Sequence, residues 1–249
     1  MRIMHPVKLH LPNILTLINL ALGALATMEA WHGRYTVAAT YVLVCSILDF
    51  YDGYAAKMLM AFSEIGKQLD VLADLVSFGI APGAIAAGLL KIGAINYQWP
   101  YFLLPLTYVV PLLIPVVSGI RLAKFNLEQH QGIHFKGMPV PADAFLYAAL
   151  ALMHAKPRFE IANTILLHPL FIIALIIISS FLMLAPLSMF SLKLEKHDRV
   201  SNIWRYLFAV IGIGLMIWLG GLGLFAVFVF YILISVGIST KLRHLKRGK

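Results

Sequence analysis

The chain has 249 residues, of which 61% are hydrophobic and 12% are charged, and its mean hydropathy is +0.86. A soluble domain is typically about 45–50% apolar and about 25% charged, so this composition excludes an ordinary soluble protein and indicates an integral membrane protein. The formal net charge of +9 does not indicate nucleic-acid binding, because the basic residues flank apolar segments, where they meet anionic lipid. The single cysteine, Cys45, excludes an intrachain disulfide.

Apolar segments bounded by charged residues or by Pro and Gly predict an all-α, polytopic membrane bundle of about eight transmembrane helices. The predicted helices cover residues 12–30, 36–60, 69–90, 100–122, 139–155, 163–185, 203–219 and 221–239. Most are close to the ~20 residues that span a bilayer, although the fifth is short. Pro82-Gly83 predicts a kink in the third helix, and Gly220-Gly221 predicts a tight hairpin or one broken helix. No soluble domain is recognisable, so residues 1–249 are expected to form one membrane-embedded domain.

The basic residues predict the orientation of this bundle. Sixteen of the twenty Lys and Arg residues fall on the side that holds both termini, and four fall on the other side. The positive-inside rule therefore places both termini in the cytoplasm of a multi-pass protein of the cell (plasma or inner) membrane. The N-terminal segment resembles a signal peptide, but Pro12 and Asn13 interrupt its apolar run, so we expect it to be retained.

Four aspartates are concentrated in one short, otherwise apolar stretch. They are Asp49, Asp52, Asp70 and Asp74. The first two share one face of the second helix and the last two share one face of the third. An ionised carboxylate at hydrocarbon depth costs roughly 2.5–3.5 kcal/mol or more, and grouped carboxylates repel one another. Oxygen ligands select Mg²⁺, Mn²⁺ or Ca²⁺, so the stretch predicts a metal site near the cytoplasmic surface, where an antiparallel hairpin would bring both pairs to the same depth.

The spacing of these residues resembles the signature of the CDP-alcohol phosphatidyltransferase family. The pattern in this chain is Asp49-x-x-Asp52-Gly53-x-x-Ala56-Lys57-x8-Gly66-x-x-x-Asp70-x-x-x-Asp74. Lys57 stands where the family usually has Arg. Lysine keeps the positive charge but lacks the planar fork that binds phosphate through two hydrogen bonds.

Three further stretches resemble the phosphatidylserine synthase branch of that family. They are Pro12-Asn13-x-x-Thr16-x-x-Asn19-Leu20-x-x-Gly23, then Leu69-Asp70-x-x-Ala73-Asp74-x-Val76-Ser77-Phe78-Gly79-x-Ala81-Pro82, and Arg121-Leu122-Ala123-Lys124-Phe125-Asn126 followed by Phe135-x-Gly137-x-Pro139-x-Pro141-Ala142. The resemblance covers roughly residues 10–145, which it marks as the catalytic core, with additional helices at 160–240.

The resemblance implies an enzyme that transfers a phosphatidyl group from CDP-diacylglycerol to L-serine, giving phosphatidylserine and CMP. It implies a divalent cofactor, Mg²⁺ or Mn²⁺, with two ions held by Asp49, Asp52 and Asp70. Asp74 is then the general base, which also contacts a metal. Membrane lipid is the other expected partner, a homodimer is the implied assembly, and no nucleic acid is expected.

Small and polar residues near the acids are candidates for binding CDP-diacylglycerol. Gly53, Ala56 and Gly66 would let the nucleotide approach the backbone, with Lys57 nearby. Asn13, Thr16 and Asn19 share one face of the first helix and would contact the nucleotide or its phosphates. The alternative for these three is hydrogen bonding between helices.

The candidates for binding serine lie on the same side of the membrane. They are Arg121, Lys124, Asn126 and Ser77. A cation is needed for the carboxylate of the amino acid, although positive-inside anchoring explains Arg121 and Lys124 equally well. Ser77 follows Asp74 by one turn and would either shape the acceptor pocket or only pack.

Two alternative functions remain open from the sequence. The same chemistry could use glycerol 3-phosphate or an inositol compound, which would favour a denser cluster of Lys and Arg near the acids. A transporter would place carboxylates near the bilayer midplane in two repeats, whereas four of the eleven acids lie in one hairpin of this chain.

Overall fold

The computed structural model describes residues 6–61, 63–127, 137–155, 159–185, 211–212 and 214–247, with side chains between residues 11 and 235 of these ranges. Every regular element in these ranges is helical, and this part of the chain contains no strand. The prediction of an all-α protein is therefore confirmed.

The first three helices form two consecutive hairpins. They are α1 (Pro6–Trp31), α2 (Tyr35–Met58) and α3 (Glu64–Leu75). The chain reverses between α1 and α2 at Gly33, whose φ of 79° favours glycine. After α2, Met60 adopts a φ of 50° and the Ala61 N–H donates to the Ala56 carbonyl at 3.0 Å. This six-residue closure is a common helix C-cap, here made without glycine.

The third predicted helix begins earlier than residue 69 and is not broken at Pro82. It starts at Glu64, because the Ser63 side chain accepts a hydrogen bond from the Gly66 N–H at 2.9 Å and caps the first turn. A π-helical turn at Val76–Ile80 then leads into α4 (Ala81–Asn96). Pro82 lacks the N–H that would bond to the residue four positions earlier, and the wide turn directly before it accommodates this loss within one continuous helix.

The remaining helices differ in their bounds from the predicted ones. They are α5 (Leu106–Val109), α6 (Leu113–Leu127), α7 (Val140–Ala155), α8 (Glu160–Leu166), α9 (Pro169–Leu184), α10 (residues 214–219) and α11 (Gly221–Arg247). The sixth prediction, one helix over 163–185, was wrong, since α8 and α9 meet at 61°. Pro169 begins α9 and disfavours helical geometry at His168 before it.

The count of eight membrane spans is not confirmed. Within the described residues, three helices are long and apolar enough to cross a membrane, or four if α8 and α9 form one bent span. Asp49 and Asp52 lower the hydropathy of α2, and α7 has only 16 residues. Residues 203–210 of the predicted seventh helix lie outside the described residues.

The junction between α10 and α11 is a hairpin. Gly220 has a φ of 60°, and a Cβ on Gly223 would collide with the backbone of Leu215. The chain therefore folds back on itself at Gly220. Helix α7 lies at the centre of the bundle, packed against α2, α4 and α11, and α1 packs against α2, α3 and α4.

Candidate active site

The α2–α3 hairpin places the four aspartates in two pairs, and the members of each pair lie at about the same distance from the turn. A helix rises 1.5 Å per residue, so Asp52 and Asp70 each lie about 9 Å from the ends of their helices at Met58 and Glu64. Asp49 and Asp74 lie about 14–15 Å from the same ends. The short turn between the helices therefore pairs the acids across the hairpin by length alone.

Three of the four carboxylates converge. Asp49, Asp70 and Asp74 each place one oxygen within 4.8 Å of the other two, and all three are partly buried. The carboxyl groups of Asp49 and Asp74 are close enough to hydrogen-bond when one of them carries a proton. Asp74 Oδ1 is buried and receives no hydrogen bond from any residue that the structure describes.

Asp52 lies beside this group rather than within it. Its side chain is 5% exposed, and Oδ2 accepts a hydrogen bond from the Thr16 hydroxyl at 2.7 Å. The same hydroxyl lies 3.1 Å from the Pro12 carbonyl. The shorter contact is with the carboxylate, so α1 directly orients one of the predicted metal ligands.

The cluster is electrostatically unsatisfied as it stands. Among the described residues, the one ion pair within 4.0 Å joins Arg34 and Glu29, far from these acids in the sequence. Two like charges about 4 Å apart repel by about 4 kcal/mol at an effective dielectric constant of 20. Three such pairs would approach the whole stability of a typical domain, about 5–15 kcal/mol. The three carboxylates therefore need protons or a cation, and the bare oxygen of Asp74 fits a hard divalent ion.

The small residues of the signature have different surroundings. Gly53 is exposed, and a Cβ built there would meet no described atom within 4 Å. Gly66 instead faces α1, where its Cβ would come within 2.8 Å of Ser63 Oγ and would also crowd Asn13 Oδ1. Ala56 is half-buried and Lys57 is exposed in the last turn of α2. Open space for a ligand lies at Gly53, whereas Gly66 permits helix contact.

A buried polar contact lies directly below the acids. The Ser77 hydroxyl is 3.0 Å from Asn19 Oδ1 and 3.1 Å from the Asn19 carbonyl, and both residues are 0% exposed. Cys45 Sγ approaches the same carbonyl at 3.5 Å. A Cβ on Gly23 would lie within 2.8 Å of Ser77 Cα. Ser77 thus joins the π-helical turn to α1, in agreement with the packing alternative rather than with an open acceptor pocket.

Arg121 of α6 is the predicted acceptor residue whose charge acts on the cluster. It is half-buried and interacts electrostatically with Asp74 and with Tyr231. Its Nε has no hydrogen-bond partner among the described residues. Lys124 lies one turn later and is exposed, while Asn126 is about 140° around the helix from Arg121. Among the predicted acceptor residues on α6, Arg121 is therefore the one that interacts electrostatically with Asp74.

Sequence reasoning missed Tyr231. It lies in α11, is 8% exposed, and interacts with Arg121 and with Ser235. Its segment has no motif, and its composition predicts only an apolar span. Only the three-dimensional packing of α11 beside α7 reveals it.

The family is decided by a match that extends far beyond the acidic hairpin. The CDP-alcohol phosphatidyltransferase family model matches residues 9–218. The chain belongs to this family. The match includes most of α1, the four aspartates and Arg121, and ends before Tyr231.

Several curated relatives are named for one reaction. The chain is 35% identical over 133 residues to the CDP-diacylglycerol–serine O-phosphatidyltransferase of Bacillus subtilis, covering 53% of this chain and 70% of the relative. It is 31% identical over 166 residues to the protein of the same name from Helicobacter pylori, covering 66% of each chain. It is also 28% identical over 144 residues to the archaetidylserine synthase of Methanothermobacter thermautotrophicus, covering 57% of this chain and 58% of the relative.

Proposed function

We propose that this protein transfers a phosphatidyl group from CDP-diacylglycerol to L-serine, releasing CMP. The observation that carries the proposal is the convergence of Asp49, Asp70 and Asp74, together with the electrostatic interaction between Arg121 and Asp74. In such a site Asp74 can accept a proton, and Arg121 can bind the carboxylate of the acceptor molecule. The names of the relatives from B. subtilis and H. pylori support serine as that acceptor.

In the proposed step, the serine hydroxyl oxygen bonds to the β-phosphorus of CDP-diacylglycerol and the bond from that phosphorus to the CMP oxygen breaks. Asp74 accepts the hydroxyl proton, since serine is a poor nucleophile at neutral pH. CMP departs with the electron pair of the broken bond. The protein mainly supplies positioning and charge stabilisation, as in other phosphoryl-type transfers.

We propose Asp49, Asp52 and Asp70 as ligands of divalent metal, Mg²⁺ or Mn²⁺, with Asp74 contacting it as well. A bound divalent ion supplies charge neutralisation for the pyrophosphate. Asp49 and Asp70 already face one another across the hairpin, and Thr16 holds Asp52 beside them.

The donor is proposed to lie against the open side of α2. Gly53 leaves the backbone accessible and Lys57, one turn later, offers a point charge for phosphate. Ala56 continues this surface, whereas Gly66 packs against Asn13 and leaves no space for a ligand between them. We therefore assign donor contact to Gly53, Ala56 and Lys57 first.

The acceptor is proposed to lie between α6 and Asp74. Arg121 would bind the serine carboxylate, because charge-assisted pairing with a guanidinium is strong and directional. Tyr231 also interacts with Arg121 and would hold its orientation. Lys124, exposed one turn after Arg121, would attract the serine carboxylate from the surface, and Asn126 is kept as a proposed contact.

We also propose that the site and both termini are cytoplasmic in a multi-pass plasma-membrane protein. We propose further that eight helices cross or enter the bilayer and that the chain forms a homodimer.

The orientation can be tested by single-cysteine labelling of Arg34→Cys and Lys241→Cys in sealed vesicles, because the native Cys45 is fully buried. Labelling of position 34 from the cytoplasmic side would contradict it.

An acceptor panel tests the reaction. Purified protein with labelled CDP-diacylglycerol and Mn²⁺ should release CMP with L-serine, and not with glycerol 3-phosphate or inositol. Phosphatidylserine should appear in equal amount. Release that depends on another alcohol would reassign the acceptor, and absence of release with every alcohol would refute the transferase.

A further inference from the structure

The polar face of α1 touches both helices that carry the acids. Thr16 donates to Asp52 of α2 at 2.7 Å. One turn later, Asn19 accepts from Ser77, which follows α3, at 3.0 Å. Thr16 is 4% exposed, and Asn19 and Ser77 are 0% exposed, so substrate has no direct access to the two lower residues.

These two contacts are fixed relative to one another by α1 itself. Residues three apart on a helix are separated by about 4.5 Å along its axis and lie on nearly the same face. Gly23 extends the face by another turn, and its closeness to the backbone of Ser77 leaves no room for a side chain. A rotation of α3 relative to α2 would therefore break the Asn19 contact, the Thr16 contact or both.

We propose that Thr16 and Asn19 are positioning residues for the metal site. Thr16 orients the Asp52 carboxylate, and Asn19 acts through Ser77 to hold the turn that follows Asp74. The inference rests on the proposed function, because it takes the acidic cluster as the metal site. It replaces the expectation that these residues bind the nucleotide.

The expected effect is on metal binding rather than on substrate affinity. Partners that hydrogen-bond to metal-ligating carboxylates typically contribute about 10- to 100-fold in metal affinity or activity. Thr16→Val keeps the shape and removes the hydroxyl, so it should weaken Mn²⁺ binding by about 10- to 100-fold and lower kcat with the KM for serine unchanged. Thr16→Ser keeps the hydroxyl and should restore both properties.

Thr27 provides a matched control on the same helix. Its hydroxyl donates to the Gly23 carbonyl at 3.0 Å, which matches the 3.1 Å contact of Thr16 with the Pro12 carbonyl. Thr27→Val therefore removes the same local bond without touching an acid. It should leave Mn²⁺ binding and kcat at wild-type values.

A second pair of variants tests the lower contact. Ser77→Ala removes the bond to Asn19, and Ser179→Ala removes a buried bond of the same kind between Ser179 and Tyr147, 2.9 Å long. Both should lower the unfolding temperature to a similar extent. Only Ser77→Ala should also weaken Mn²⁺ binding.

The measurements are Mn²⁺ binding by electron paramagnetic resonance and thermal unfolding, both on the full chain in detergent, with kcat and KM from CMP release. Mn²⁺ affinity lost in Thr16→Val and Ser77→Ala and kept in their controls supports the proposal. Wild-type affinity in both, or equal loss in the controls, overturns it. A wild-type protein that binds Mn²⁺ but releases no CMP would refute the proposed reaction, while the binding data would still decide the positioning role.

Discussion

The acidic cluster and Asp143 are carboxylates with different surroundings in the same bundle. Asp49, Asp70 and Asp74 are only partly buried and lie on two neighbouring helices with their oxygens together. Asp143 stands alone in the first turn of α7 and is 0% exposed. Close to Asp143, Tyr147 and Ser179 bond to each other.

The difference separates ligand binding from packing. A carboxylate with no exposed surface cannot contact a substrate. The three clustered carboxylates repel one another and remain accessible to a cation and to substrate. We therefore expect the cluster to govern metal binding and turnover, and Asp143 to affect stability. Each prediction below tests one side of this comparison.

Metal removal should have the largest effect. Chelation should reduce CMP release to background and Mn²⁺ or Mg²⁺ should restore it, because the clustered carboxylates need a cation. Mn²⁺ at a hundred times its Kd should stabilise the fold by about 2.7 kcal/mol, measured by thermal unfolding. The same dependence should persist in Asp143→Asn and disappear in Asp49→Asn. Full activity in metal-free detergent would contradict the assignment.

Substitution of the proposed base should come next. Asp74→Asn should lower kcat by about 10²- to 10⁴-fold, the usual contribution of a general base, and should retain much of the CDP-diacylglycerol binding. Asp70→Asn should weaken binding of both the metal and the donor. Asp143→Asn is the matched carboxylate control, with kcat near wild type. Near wild-type turnover in Asp74→Asn would show that another group takes the proton.

Loss of the acceptor cation should have an intermediate effect. Arg121→Ala should raise the KM for serine by about 10- to 150-fold, corresponding to the ~1.5–3 kcal/mol of a charge-assisted pair. The KM for CDP-diacylglycerol should change little. Arg34→Ala removes a cation on the opposite side of the bundle and serves as control. An unchanged serine KM in correctly inserted Arg121→Ala would move the acceptor site elsewhere.

The smallest effect should come from the buried pair Tyr147 and Ser179 near Asp143. Tyr147→Phe removes one buried hydrogen bond between helices, worth about 0.6–1.7 kcal/mol in membrane proteins. For a chain of this size each kcal/mol corresponds to about 2–4 °C in Tm, so thermal unfolding should shift by a few degrees with kcat unchanged. A large loss of kcat would mean that α7 contributes to catalysis.

The sequence predicted the helical class and the acidic hairpin because both depend on local pattern. Helix period and the spacing of Asp49, Asp52, Asp70 and Asp74 determine which faces meet once the chain reverses between them. The predicted division of the chain into eight spans is not confirmed, because local pattern is ambiguous at some of its boundaries. Proline divides 163–185 into two helices, and the acids make α2 less apolar than a typical span.

The roles of the polar residues could not be settled by pattern. Asn19 and Ser77 are 58 positions apart, and the contact between them depends on how α1 packs against the π-helical turn. Tyr231 is 110 positions from Arg121 by sequence number, and no spacing rule links them. The sequence left both readings open for Asn19, and the buried contact favours the one between helices.

The short turn between Met58 and Glu64 also lets the four aspartates meet early in synthesis. All four aspartates are translated within 26 residues of one another, but Tyr231 follows Asp74 by 157 residues. At about 5–20 residues per second, that interval lasts roughly 8–30 s. The hairpin therefore emerges with its carboxylates together well before α11 is made. We expect the nascent chain to acquire its cation during insertion, before the acceptor side of the site is complete.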